Sequence, residues 1–324
     1  MLAVTAASLS LDDPLSGLHI AQCPDATPPR TGWEVVQVKA ASLNHHDLWS
    51  LRGVGLKPDR LPMILGCDAA GITADGREVV VHAVIAGDGN GPETPGAPFS
   101  LFSEGYPGTH AELLAAPAVN LVDKPPELSF AEAACLPTAW LTAFRMLFVQ
   151  GDLHPGQRVL IQGAGGGVST AAIMLARAAG LGVYVTSRSP DKRNRAVDLG
   201  AHEAFEPGAH LPERVDGVLE TVGQATWHHS LRSVQPGGVI VCAGATSGPN
   251  PPADLRRVFY RQLRIVGSTM GTRRELIQLI RMLGATGIRP VIDAMYPLTE
   301  AYAAYRQMES GELFGKIVLT PGGA

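Results

Sequence analysis

Within Arg158–Arg195 the hydrophobic pattern changes period twice. Val159–Gln162 is a short apolar, partly β-branched run that predicts a buried strand. Gly163, Gly165, Gly166 and Gly167 follow at once. Behind them Val168, Ala172, Leu175 and Ala179 recur at helical spacing, and Gly180 and Gly182 stop that helix. Val183–Thr186 then returns to an unbroken apolar run, a second strand. Strand, glycine turn, helix and strand form the βαβ unit that holds a dinucleotide. The glycines let backbone N–H groups approach a pyrophosphate, whose charge the start of the helix favours.

The alternation continues downstream. Val215–Glu220, Val239–Ala243 and Leu263–Ser268 predict further strands, each reached through helical or glycine-marked segments. That pattern is an open, doubly wound parallel sheet with its ligand crevice at the carboxyl ends of the strands. Upstream, Glu34–Lys39 and Glu78–His82 are short β-branched runs set among turns, so the first part of the chain is expected to be mostly β. Gly87–Pro98 predicts a long exposed loop. After Pro125-Pro126, Ser129 and Glu132 form a capping-box pattern, and Pro137-Thr138 is expected to divide the helical region in two. Lys316–Leu319 closes the chain as a strand. The expected organisation is a substrate domain over residues 1–125, a nucleotide domain over 126–288, and a return to the first domain over 289–324.

Composition narrows the class. The chain has 324 residues, 45% hydrophobic and 17% charged, as an ordinary globular protein of two domains does. A net charge of −4 gives no reason to expect nucleic acid or an anionic membrane as partner. No apolar run is long enough to span a bilayer, and Asp12 and Asp13 sit where a secretory signal is apolar. Cys23, Cys67, Cys135 and Cys242 are scattered without a CxxC pair, which predicts reduced thiols in a cytoplasm.

The second strand of the βαβ unit selects the cofactor. An NAD site carries Asp or Glu at its end, bonding the ribose 2′-hydroxyl. Here the strand runs into Thr186-Ser187-Arg188-Ser189, without an acid. Ser189 and Pro190 read as N-cap and first residue of the next helix, with Lys192 and Arg193 in its first turn. Ser187, Arg188 and Lys192 would welcome a 2′-phosphate, so NADPH is expected; a merely solvated basic helix face is the alternative.

With these motifs the chain resembles the medium-chain dehydrogenase/reductase superfamily, most closely its zinc-independent quinone oxidoreductase branch. The resemblance rests on Ala40–Gly53 (AASLNHHDLWSLRG), Leu61–Gly71 (LPMILGCDAAG), Gly108–Pro117 (GTHAELLAAP), EAACLPTAWLTAFRML, VDGVLETVG and the closing GKIVL. It implies an α/β protein: a Rossmann domain with a doubly wound parallel sheet, plus a mostly β, GroES-like substrate domain built from both chain ends. Against the family's AxxGGVG turn, Ala164 takes the first position and Ser169 replaces the last glycine, a residue small enough for close helix packing.

The departures bear on mechanism. Zinc-dependent alcohol dehydrogenases of this superfamily place Cys at the position of Asn44, His at Cys67 and Cys at Thr138. Asn and Thr are poor zinc ligands, Cys67 is left without evident partners, and the four-cysteine structural lobe is absent, so no metal is expected. An altered site drawing on His45, His46, Cys67 and Asp68 is the alternative. The resemblance places Asn44 and Trp49 beside the nicotinamide, with Trp49 where related reductases have a tyrosine, and His46 at the place of a hydroxyl proton relay. It also implies cofactor contacts from Thr142, Gly165, Gly166, Gly167, Val168, Ser169, Ser187, Arg188, Lys192, Gly244, Ala245, Thr246, Thr269, Met270 and Gly271. Hydride transfer without a metal needs an acceptor that is itself electrophilic, a quinone or an activated enone. The expected activity is a zinc-free, NADPH-dependent reduction of such a small molecule by a homo-oligomer, dimer or tetramer. A zinc-dependent alcohol dehydrogenase with altered ligands and a non-catalytic NADPH-binding protein are the competing readings.

Overall fold

The computed structural model describes residues 1–86 and 99–322, so the loop expected over Gly87–Pro98 lies outside the described residues. In chain order the first part contains β1 (Leu2–Ala6), β2 (Leu18–Gln22), β3 (Trp33–Ser42), α1 (His45–Leu51), β4 (Met63–Ile64), β5 (Asp68–Thr73) and β6 (Glu78–Val81). It continues with β7 (Val84–Ala86), β8 (Phe99–Leu101), β9 (Leu113–Pro117), β10 (Leu121–Asp123) and α2 (Phe130–Ala134). The middle comprises α3 (Leu141–Phe144), β11 (Arg158–Ile161), α4 (Gly167–Ala178), β12 (Gly182–Thr186), α5 (Pro190–Asp198), β13 (Glu203–Phe205) and β14 (Val215–Glu220). Then come α6 (Gln224–Ser233), β15 (Val234–Cys242), α7 (Leu255–Tyr260) and β16 (Arg264–Gly267). The last part adds α8 (Arg273–Thr286), β17 (Ile292–Pro297), α9 (Ala301–Ser310) and β18 (Lys316–Thr320).

The chain forms two compact units, one of Met1–Ala139 with Gly271–Ala324 and one of Trp140–Met270. The boundaries differ from those expected at residues 126 and 289. One reason is visible: α2, capped by the Ser129–Glu132 box, packs against β3 and β5 of the first unit. Pro137 lies in a π-helical turn, Leu136–Trp140, between α2 and α3.

In the first unit a sheet runs β10-β6-β5-β3-β18-β17, with β9 also pairing β3. Its ladders are antiparallel except β17 with β18, so the last strand of the chain is stitched directly to β3 from its beginning. Leu48 and Leu51 of α1 are buried with Tyr305 and Met308 of α9 in an apolar cluster that also takes Ile317 and Leu319. This packing fixes α1, and with it the segment that carries the candidate chemistry.

The second unit is a six-stranded parallel sheet in the order β13-β12-β11-β14-β15-β16. The order reverses between β11 and β14, the switch point at which such sheets bind ligands. Its predicted strands are all present; β15 starts five residues earlier than the apolar run suggested, at Val234 rather than Val239. A buried polar ladder joins the carboxyl ends: Thr186 donates to Gln162 (2.8 Å), Gln162 to Ser230 (3.0 Å), and Ser230 to Glu220 (2.6 Å). Glu220 also accepts from the N–H groups of Val222 and Gly223, each at 2.9 Å. Every buried polar group in this row finds a partner, as burial demands.

Candidate active site

In the second unit the turn after β11 requires glycine: φ is +82° at Gly163 and +104° at Gly165, values a side chain rarely tolerates. Gly166 is the N-cap of α4 and offers no side chain to its first-turn N–H groups. Those donors therefore point to a ligand or to water, and no acidic residue stands in the first turn to repel an anion. Ser169 is buried inside that turn, consistent with a small residue where helix and strand pack closely.

After β12, Ser189 caps α5 by accepting from the Lys192 N–H at 3.3 Å, and Pro190 opens the helix, as expected. Ser187 is buried and Arg188 exposed, while the Arg193 guanidinium turns back to donate to the Ser187 carbonyl at 2.8 Å. Arg193 thus shapes the loop that presents Ser187 and Arg188. Thr142 is buried; Gly244, Ala245 and Thr246 follow β15, and Thr269 and Met270 follow β16, as sheet-end loops do. Gly271 falls in the other unit.

In the first unit, α1 begins with a reciprocal cap: Asp47 Oδ2 accepts from the Asn44 N–H at 2.7 Å. Asn44 is buried with all its polar atoms engaged. Its amide donates to Asp68 Oδ2 (2.8 Å) and the Ser42 carbonyl (3.3 Å), and its oxygen accepts from Lys316 Nζ (2.6 Å). Asn44 is therefore a frame residue within this unit, not a free donor. Asp68, fully buried, also accepts from Ser42 (2.9 Å) and Thr138 (2.5 Å), with Lys316 Nζ at 3.7 Å. Burial pushes the Asp68 carboxyl up, against the opposing pull of Lys316 and the three donors.

His46 and Trp49 are partly exposed on α1, and His45 is exposed. His46 Nε2 lies 2.9 Å from Glu104 Oε1, and its Nδ1 lies 3.8 Å from Asp47 Oδ1. Burial opposes its charged form, but Asp47, Cys67 and Glu104 outweigh that and hold its pKa well above the usual value. Cys67 is not without partners, as the sequence had implied: Asn44 donates to its sulfur at 3.7 Å and Thr138 lies at 3.4 Å. Burial pushes that thiol up. Glu104, distant in sequence, was missed; no periodicity or motif marks it. Asp47 was missed although it lies within the quoted segment, because its capping role gives a sufficient local reason for an acid.

Comparison with known proteins gives these parts their context. Residues 30–126 match the alcohol dehydrogenase GroES-like domain, and residues 167–285 match the zinc-binding dehydrogenase domain. A zinc-type alcohol dehydrogenase-like protein of Schizosaccharomyces pombe is 32% identical over 314 residues, covering 89% of this chain and 90% of that one. The crotonyl-CoA carboxylase/reductase of Cereibacter sphaeroides is 30% identical, covering 87% of this chain and 79% of its own. A solved NAD-dependent alcohol dehydrogenase superposes with a TM-score of 0.90 at 32% identity, over 99% of this chain and 100% of that one. The chain belongs to the medium-chain dehydrogenase/reductase superfamily.

As a member it is an oxidoreductase that uses a nicotinamide dinucleotide, and the open amides of α4 behind the Gly163–Gly166 turn fit the pyrophosphate of such a cofactor. The superfamily's catalytic zinc does not fit its usual three positions here. Asn44 and Thr138 supply no zinc-binding atom, and both are committed to Asp68. A buried ammonium, Lys316, already stands beside that carboxylate. Of the group His45, His46, Cys67 and Asp68 considered from sequence, only His46 and Cys67 come together; His45 is exposed and Asp68 is enclosed by its own donors. Among the described residues no helix is long and apolar enough to cross a membrane.

Proposed function

We propose that the chain is an NADPH-dependent reductase of an activated double bond, in an enone or a quinone, with no zinc at the superfamily's three ligand positions. The observation that carries this reading is the proton-bearing network of Asn44, Thr138, Lys316 and Asp68 in place of a ligand set. Without a Lewis acid there, the acceptor must already be electrophilic. The crotonyl-CoA enzyme among the relatives is named for an acceptor of that kind. The absence of an acid in Ser187–Ser189 after β12, with Ser187 and Arg188 in that loop and Lys192 in the first turn of α5, supports NADPH over NADH.

When bound, the cofactor supplies hydride, two electrons and one proton's mass, to the electrophilic carbon of the acceptor. The chain must supply the remaining proton. His46 is suited to that, because Glu104 holds its Nε2, and Asp47, Cys67 and Glu104 favour its proton-bearing form. Asn44 and Lys316 keep the segment before α1 in place. Trp49, partly exposed on the same short helix, offers an aromatic face to a planar substrate. We further propose that the protein is cytoplasmic, on the ground of its scattered free cysteines, and a homo-oligomer, as Leu255, Phe259 and Tyr260 are 70%, 70% and 82% exposed on one helix, α7.

The test combines parallel titrations of NADPH and NADH with a panel of quinones, enones and aldehydes. Preference for NADPH with turnover of enones or quinones is the expected outcome. Tight NADPH binding without turnover of any acceptor would leave a non-catalytic binding protein, and turnover confined to alcohols and aldehydes would restore the zinc-dehydrogenase reading.

A further inference from the structure

A cavity of about 610 Å³ lies in the first unit among β3, β9, β4 and the turn that ends at Gly108, and none of Asn44, His46, Trp49, Cys67 or Thr138 lines it. Its volume is that of a small-molecule site. One wall is aromatic and set in advance. The rings of Trp33 and Tyr106 stand 4.8 Å apart, tilted by 46°. The Arg30 guanidinium lies 5.7 Å over the Trp33 ring and donates to the Tyr106 hydroxyl at 3.1 Å, so neither ring has to be ordered by a ligand. Pro62, Met63 and Ile64 add further apolar surface.

The charged groups of the cavity cancel: the Met1 ammonium and Arg60 stand against Asp25 and Asp59. The ammonium is already committed to Asp25 Oδ1 at 2.9 Å and to the Cys23 carbonyl at 2.8 Å. The Thr5 hydroxyl donates to the His19 carbonyl at 3.4 Å. A charged ligand would therefore gain no net attraction there. Uncommitted hydrogen-bonding groups come instead from the edge of β9. The Val38 N–H donates to the Glu112 carbonyl at 3.0 Å and the Ala118 N–H to the Gly32 carbonyl at 2.8 Å, and the register sets Leu114 opposite Val36 and Ala116 opposite Glu34. The even-numbered residues of β9 thus bond to β3, and the N–H and C=O groups of Leu113 and Ala115 point away from it. Among the described residues no second strand pairs with β9, and Leu113, Leu114 and Ala115 all line the cavity.

We propose that this cavity is a second small-molecule site, separate from the one beside α1, for a flat, uncharged aromatic compound that carries a carbonyl group. The Trp33–Tyr106 wall receives the ring. An outward N–H of Leu113 or Ala115 holds the carbonyl oxygen, the pattern of a mostly apolar pocket oriented by a few backbone groups. An extended peptide also pairs with a strand edge, but two outward residues are too few for a ladder. The inference concerns binding alone and does not depend on the reductase reading.

The test titrates the full chain, without nucleotide, with 9-fluorenone by calorimetry, and follows alkylation of Cys23 by mass spectrometry. One molecule per chain with a Kd on the order of 0.1 mM or tighter is expected. Labelling of Cys23 should slow at the same time, because Cys23 lines the cavity. The charged analogue 9-fluorenone-2-carboxylate should bind about fivefold more weakly or worse. Tyr106→Ala should weaken fluorenone binding about tenfold. Ala115→Pro removes one outward N–H at an edge position that tolerates proline and should weaken it by roughly three- to tenfold. Trp49→Ala, on α1, should leave it unchanged. Absence of saturable binding, or binding without protection of Cys23, would overturn the site. Binding lost in Trp49→Ala but kept in Tyr106→Ala would also overturn it, by placing the compound beside α1. Tighter binding of a blocked trivaline peptide, with the same protection of Cys23, would assign the edge to a peptide instead. Should Tyr106→Ala not fold, the wild-type protection and the Ala115→Pro variant still decide. No readout involves turnover, so failure of this site and failure of the reductase reading are separable.

Discussion

Replacing Lys316 by methionine should destabilise the first unit strongly, and the structure says by how much. Lys316 is 3% exposed, and its ammonium donates to the Leu43 carbonyl at 2.5 Å and to Asn44 Oδ1 at 2.6 Å. It is also the cation beside Asp68, at 3.7 Å, and Asp68 is 0% exposed. Methionine preserves most of the side-chain volume, so the loss is polar: the Leu43 carbonyl and Asn44 Oδ1 lose their donor, and a buried carboxylate keeps its three donors but loses its counter-charge. Breaking a buried pair in this way costs about 3–5 kcal/mol. For a unit of this size each kcal/mol lowers the melting temperature by roughly 2–4 °C, which amounts to a drop of roughly 6–20 °C. The assay is calorimetry or circular dichroism, with a second variant as control. Asp68→Asn added to Lys316→Met removes the stranded charge while retaining a side chain that can meet Ser42, Asn44 and Thr138. The double variant should recover at least half of the loss. A drop corresponding to less than 1 kcal/mol, or a double variant no more stable than Lys316→Met, would refute the pairing.

Other predictions follow from the same physics. Arg188→Ala should weaken NADPH binding far more than NADH binding, by about tenfold or more for one lost charge-assisted phosphate contact; equal losses by fluorescence titration would sink the 2′-phosphate assignment. Gly165→Ala forces a side chain onto φ +104°, at a cost of roughly 1–2 kcal/mol or more, and should lower affinity for both nucleotides together. Cys135 is fully buried and its thiol is pushed up to about 12 by burial. At pH 8 its thiolate fraction is on the order of 10⁻⁴, so mass spectrometry after alkylation of the native protein should find it unmodified while the less buried Cys23 is labelled. Light scattering should report an oligomer, and charged residues in place of Phe259 and Tyr260 should shift it towards the monomer.

Much of this molecule is local and therefore readable from the chain. The βαβ unit is legible because apolar runs, a glycine cluster and a helical repeat are each short-range consequences of backbone sterics and burial. Gly163 and Gly165 adopt the left-handed conformations that the turn demanded, and Ser189 and Ser129 cap the helices their neighbours announced. The missing acid after β12 is a single-position signal, readable because strand and helix fix where that position lies. The first unit's chemistry is of another kind. Asp68 collects Ser42 with Asn44, Thr138 and Lys316 from three separate segments, and the pairing of β18 with β3 and of β3 with β5 brings the first and the last of these to it. Glu104 meets His46 across 58 positions of sequence, and Cys67 meets it across a gap that no periodicity spans. Sequence alone determined that this chain turns, winds and alternates as a nucleotide-binding α/β protein, because those properties are set within a few residues. Tertiary structure alone decided which polar side chains share a buried space, because desolvation and hydrogen-bond geometry act between segments whose distance along the chain carries no information about their distance in space.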